Sequence, residues 1–159
     1  MPLLIVLRQF SKKNKLGYNF ESMIYKLGTV PQINLKSHDM ESVLIVDDEQ
    51  DICYFLYRNL NKKDYEASFV HSLGEAKDAL YKKQRSILLL DNHLPDGLGI
   101  NFAREVKKNY PLMKIVMITA HVSEIGLLET DKTGIDYFIS KPFLMSEVFD
   151  AIDTVKTRH

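Results

Sequence analysis

Runs of consecutive branched apolar residues alternate along this chain with stretches in which apolar residues recur every three or four positions. Val43-Leu44-Ile45-Val46, Ile87-Leu88-Leu89-Leu90 and the run inside Lys114 to Thr119 have no polar alternation. They read as strands buried on both faces, as in the middle of a parallel sheet. Tyr65 to Val70 and Asp136 to Ser140 are less apolar strands, and the first of them belongs nearer the sheet edge. Helical spacing follows each strand. Ile52, Phe55, Leu56 and Leu60 form an inward face that closes near Asn61-Lys62-Lys63, and Ser72 with Glu75 has the capping-box spacing for a helix reaching about Lys83. Gly99 to Asn109 turns Ile100, Phe102 and Val106 inward and stops at Tyr110-Pro111. Ser123 to about Lys132 has a thin apolar face, and Leu144 to Thr157 buries Val148, Ile152 and Val155. Five alternations of strand and helix specify an α/β domain with a mainly parallel, five-stranded sheet and right-handed crossovers.

The polar residues fall where these strands stop. The first strand ends in Asp47-Asp48, the third in Asp91, the fourth in Thr119 and the fifth in Ser140-Lys141. Parallel strands point the same way, so the spacing predicts that these side chains meet on the carboxyl edge of the sheet, where open α/β sheets bind ligands. After Asp91, Pro95 and the Asp96-Gly97 pair break regular structure and leave Asp91 at the mouth of a loop. Three carboxylates around a single ammonium lack balancing charge, which a hard divalent cation, Mg2+, would supply. The lysine and the threonine hydroxyl suit a phosphoryl group beside that metal. Taken singly, a strand-end Asp is an ordinary cap, a Lys ordinary surface and a Thr an ordinary turn residue. Five of them on four of the five strand ends are harder to explain that way.

Length and composition exclude several classes. A chain of 159 residues, 45% apolar and 26% charged, accommodates one ordinary soluble domain. The zero net charge hides an asymmetry: residues 1–39 hold six Lys/Arg against two Asp/Glu, and residues 40–159 hold fifteen against nineteen. The acidic larger part argues against direct nucleic-acid binding. A lone Cys53 permits no intrachain disulfide, and the apolar run Pro2 to Leu7 is too short to span a membrane, so a cytoplasmic protein is expected. In residues 1–39 only Leu3 to Leu7, as a short strand, and Phe20, Met23, Ile24 and Leu27, at helical spacing, are legible. A docked accessory segment, a mobile basic arm and a stretch outside the natural protein all fit, the last because Met40 directly precedes the first clear strand. The domain division is therefore an extension over 1–39 and a core over 40–159.

From about Met40 onward the sequence resembles the receiver domain of two-component response regulators. The resemblance rests on Val46-Asp47-Asp48-Glu49; Leu90-Asp91 with Leu94-Pro95-Asp96 and Gly99; Ile118-Thr119-Ala120; Gly134; and Ser140-Lys141-Pro142-Phe143. It implies a doubly wound, flavodoxin-like fold. It also implies Asp91 as phospho-acceptor, with Mg2+ bound by Asp48, by Asp47 mainly through water, by Asp91 and by the backbone carbonyl of His93. Lys141 would pair with one phosphoryl oxygen and Thr119 with another, and Phe138 would be the switch aromatic, Phe where Tyr is common. His93 and His121 stand where the family tunes hydrolysis.

The expected activity is acceptance of a phosphoryl group from a sensor histidine kinase or a histidine phosphotransfer protein. No independent enzyme is expected beyond Mg-dependent self-phosphorylation and autodephosphorylation. With nothing following the last helix, output is expected through a downstream protein target, and a phosphorylation-linked dimer is left open. In the family the reading surface includes the helix after Thr119, whose thin apolar face fits a loosely packed element. Two other classes compete. A receiver that has lost its chemistry would bind partners without phosphorylation. A small Mg-dependent phosphatase would use Asp91 as a turnover nucleophile, but it needs a second acid two residues on, where this chain has His93.

Overall fold

The computed structural model describes residues 40–120 and 133–157. The elements run β1 (Ser42–Val46), α1 (Gln50–Asn61), β2 (Glu66–Val70), α2 (Leu73–Lys82), β3 (Ile87–Asp91), β4 (His93–Leu94), β5 (Gly97–Leu98), α3 (Gly99–Asn109), β6 (Lys114–Thr119), β7 (Tyr137–Ser140) and α4 (Met145–Thr157). The main sheet is parallel, in the order β2-β1-β3-β6-β7. The three uniformly apolar runs are its central strands, and the less apolar β2 and β7 are its edges.

Successive side chains of a strand point to opposite faces, so each central strand feeds two cores. Leu44, Val46, Leu88, Leu90, Ile115 and Met117 pack with Ala76 and Leu80 of α2 and Phe102, Ala103 and Val106 of α3. Val43, Ile45, Leu89, Val116 and Ile118 pack with Leu56 and Leu60 of α1 and Val148, Ile152 and Val155 of α4. Each buried Val, Leu, Ile, Phe or Met among them contributes about 1.5–3 kcal/mol on burial, which is why the strands hold the polar residues at their ends so firmly.

Three local expectations change. Phe55 is 45% exposed, and the inward stripe of α1 is Cys53, Leu56 and Leu60. The neighbour of Leu56 stands about 100° around the helix, outside that stripe. Ser72 does accept from the Glu75 amide at 3.2 Å, but Glu75 Oε2 accepts from the amide of His71 at 2.8 Å, one residue before the cap. The segment after Asp91 is a miniature antiparallel pair, β4 with β5, rather than an irregular loop.

The turn of that pair carries Asp96, which reaches across to the start of α2 and accepts from the amides of Leu73 at 2.9 Å and Gly74 at 2.8 Å. These bonds, Leu73 first, hold the Asp96 carboxyl below its ordinary value. Stability from a lowered carboxyl is present above its unfolded value and is lost as pH falls through the folded one. Asp96→Ala is therefore expected to lower the urea midpoint at neutral pH, and the difference from wild type should narrow in acid. A gap independent of pH would show that the two capping bonds do not set it.

No helix among the described residues is long and apolar enough to cross a membrane. Residues 1–39, His121 and the helix expected over Ser123 to Lys132 lie outside the described residues.

Candidate functional site on the carboxyl edge of the sheet

The main chain alone brings the strand ends together. Asp91 pairs in register with Ile118, one residue before Thr119, and Thr119 pairs with Ser140, one residue before Lys141. The Lys141 amide donates to the Thr119 carbonyl at 2.9 Å. Asp47 follows β1 directly, and its amide extends that ladder to the Val70 carbonyl at 3.3 Å.

Lys141 is the hub. Its ammonium donates to Asp47 Oδ2 at 2.9 Å and Glu49 Oε1 at 2.8 Å, and stands 3.2 Å from Asp91 Oδ1. The Lys141–Pro142 peptide is cis. The remaining oxygens are held by main chain: Asp47 Oδ1 accepts from the Glu49 amide at 2.9 Å, and Asp91 Oδ2 from the His93 amide at 2.8 Å. Asp91 thus does tie the following turn, as a simple cap would, but with one oxygen only.

Electrostatics follow from this packing. Asp47 and Asp91 are only 2% and 6% exposed. Burial raises the Asp47 carboxyl above its ordinary value, and the hydrogen bond from Lys141 lowers it without cancelling that effect. Burial alone would lower the Lys141 ammonium, but its bonds to Glu49 and Asp47 outweigh this and leave it above its ordinary value. The Cys53 thiol beneath the site is pushed up to about 12, chiefly by burial, and stays protonated.

Among the described residues, no three His, Cys, Asp or Glu side chains stand ready to hold a metal. The Lys141 ammonium lies among these carboxylates, where a cation would sit. The donor chemistry nonetheless fits Mg2+. The site offers hard oxygens, and Asp47, Glu49 and Asp91 outnumber the one ammonium, with the exposed residue Asp48 next in the chain after Asp47.

Thr119 is fully buried at the end of β6. Phe138 is half-buried, pairs in register with Met117 and packs on the α2–α3 core, while Tyr137 packs on the opposite core, as strand alternation requires. Sequence reasoning missed Glu49 as a partner of Lys141, although it is the third acid of the run after β1. It also missed Asn92, whose main-chain carbonyl accepts from Gly99 at 2.8 Å and whose side chain accepts from Ile100 at 3.1 Å, capping α3.

A doubly wound parallel sheet with Asp47, Asp91, Thr119 and Lys141 gathered at its carboxyl edge defines an open α/β domain with a polar site at that edge, and the family follows from comparison. The response regulator receiver domain pattern matches residues 43–153, and the chain belongs to that family. Its sheet and helices are the flavodoxin-like receiver fold. Among similar solved structures is the non-phosphorylated HemR receiver domain from Leptospira biflexa, 24% identical, covering 75% of this chain and 96% of that one, with a TM-score of 0.68. The response regulator TrrA from Thermotoga maritima, in complex with Mg2+–BeF, is 24% identical over 73% and 99%, with a TM-score of 0.66. The NtrC4 receiver domain, a beryllofluoride-activated dimer in solution, is 31% identical over 73% and 96%, with a TM-score of 0.67.

Proposed function

We propose that this chain is a signalling switch that takes a phosphoryl group onto Asp91 from the phosphohistidine of a sensor histidine kinase or a histidine phosphotransfer protein. The observation that carries the reading is the pose of Asp91: a nearly buried carboxylate with one oxygen on the His93 amide and the other 3.2 Å from the Lys141 ammonium. In the transfer, a carboxylate oxygen of Asp91 forms the new P–O bond as the P–N bond of the donor breaks and its electron pair returns to the imidazole. An acyl phosphate results, which water later cleaves at the same phosphorus. Lys141 offsets charge on the transferring oxygens, and Thr119 donates a hydrogen bond to one of them.

Asp47, Asp48, Asp91 and the His93 carbonyl would hold Mg2+, which when bound neutralises charge developing on the phosphoryl oxygens. Once the phosphoryl group is attached, Lys141 exchanges a carboxylate partner for a phosphoryl oxygen. Thr119 and Phe138 on the neighbouring strands then report the change to a protein partner. The domain is taken as residues 40–159, with 1–39 an extension of separate status, and the setting as cytoplasmic. A phosphorylation-linked dimer is consistent with the dimeric NtrC4 relative.

The test is an intact mass spectrum before and after incubation with magnesium and a small-molecule phosphodonor, with Asp91→Asn alongside. One added phosphoryl group on wild type and none on the variant is expected. Absence of both adduct and released phosphate from wild type would favour a binding module that works without phosphorylation. Steady phosphate release from varied phosphoesters would favour the phosphatase reading.

A further inference from the structure

We propose that His71 is a positioning residue for the phosphorylation site, holding the acidic turn Asp47–Glu49 through the main-chain carbonyl of Asp47. The inference rests on the reading of Asp47 and Asp48 as magnesium donors. The ladder of β1 ends at Val46, which pairs with Val70 on one side and Leu90 on the other. The next carbonyl, that of Asp47, lies past both ladders in a residue only 2% exposed. A buried carbonyl without a partner is costly, so something off the sheet has to meet it.

Two side chains do. His71 Nδ1 stands 3.0 Å from the Asp47 carbonyl oxygen, and Cys53 Sγ donates to the same oxygen from 3.2 Å. A carbonyl can only accept, so the imidazole carries its proton on Nδ1. The thiol is the weaker donor, which leaves the ring N–H as the main tie. His71 directly follows Val70, whose carbonyl receives the Asp47 amide. Two adjacent residues at the end of β2 therefore hold Asp47 at both ends of its main chain. What Asp47 and Asp48 present to the site depends on that clamp.

The ring is itself held. Phe69 packs against it at 5.5 Å between centroids, Cys53 Sγ lies 3.8 Å from Nδ1, and the His71 amide donates to Glu75 Oε2. The alternative role is that the ring only fills space beneath the turn, and the test separates hydrogen bonding from filling. His71→Phe and His71→Leu remove the donor with different shapes, whereas the amide nitrogen of His71→Asn reaches about as far as Nδ1 and restores one. Magnesium binding is measured by calorimetry, and exchange of the Glu49 amide by NMR on metal-free protein.

Both donor-free variants are expected to bind magnesium about tenfold more weakly and to exchange the Glu49 amide faster, with His71→Asn close to wild type in both. Wild-type affinity and exchange in the donor-free variants, or a His71→Asn as weak as they are, would overturn the proposal. If wild type itself binds no magnesium, the reading of the site as magnesium-dependent fails, and the exchange measurement alone decides the positioning role.

Discussion

Gly99→Ala is expected to destabilise the protein by about 3 kcal/mol or more and to abolish phosphorylation of Asp91 in whatever fraction still folds. A Cβ at Gly99 would stand 2.1 Å from the Asp91 carbonyl oxygen and 3.1 Å from Asn92 Cα. These are main-chain atoms at the end of a central strand buried on both faces, so no rotamer change relieves the overlap. Either α3 retreats and loses the bonds from Gly99 and Ile100 to Asn92, or the end of β3 shifts and carries the phospho-acceptor with it. Gly74→Ala is the control, because a Cβ added there would meet only a carboxylate oxygen of Asp96, 3.6 Å away at the end of a side chain. In a helix that change should be neutral or stabilise by about 0.5–1 kcal/mol. Urea unfolding of the two variants measures the contrast, and a mild effect at Gly99 would mean that the α3–β3 junction gives far more readily than its packing suggests.

Lys141→Ala is expected to lower stability at neutral pH by about 2 kcal/mol, because Asp47, Glu49 and Asp91 then face one another without a cation. The effect has a pH signature. The Lys141 ammonium is held above its ordinary value, so its contribution is complete below that value and fades only as alkali passes the raised one. The Asp47 carboxyl is also held high, by burial. For an acid this means that the protonated form favours the fold, and that stability is lost as pH rises through the raised value. Removing the ammonium raises Asp47 further. The deficit of the variant should therefore be largest at neutral pH and shrink as the medium becomes mildly acid. A deficit that is constant with pH would show that the lysine acts by packing alone. The same change should abolish phosphorylation from a small phosphodonor, since it removes the ammonium that stands 3.2 Å from Asp91 Oδ1.

Most of the sheet was legible in the sequence for a simple reason. Ile87 to Leu90 and Val43 to Val46 have no polar residue to place in water, so they can only be central, and the polar residue ending each run can only be at an edge. Parallel direction then brings Asp47, Asp91, Thr119 and Lys141 together without any knowledge of contacts. Phe55 was misplaced because a three-to-four spacing admits two neighbouring stripes on one helix. The choice between them lies with the partner surface, which took Cys53 and left the larger Phe55 outside.

Which strands are buried and where the acidic and hydroxyl residues converge could be read along the chain, because hydrophobic period and strand-end chemistry are local properties, and the spaced motifs carried the resemblance to the receiver family. Which oxygen meets which donor is set by the folded chain. That Lys141 bridges Asp47, Glu49 and Asp91, that Asp96 caps a helix more than twenty residues away, and that His71 clamps the Asp47 carbonyl all depend on loops brought together by the sheet. Side-chain hydrogen bonds reach only about 3 Å, so their pairing is set by distances that no spacing along the chain records.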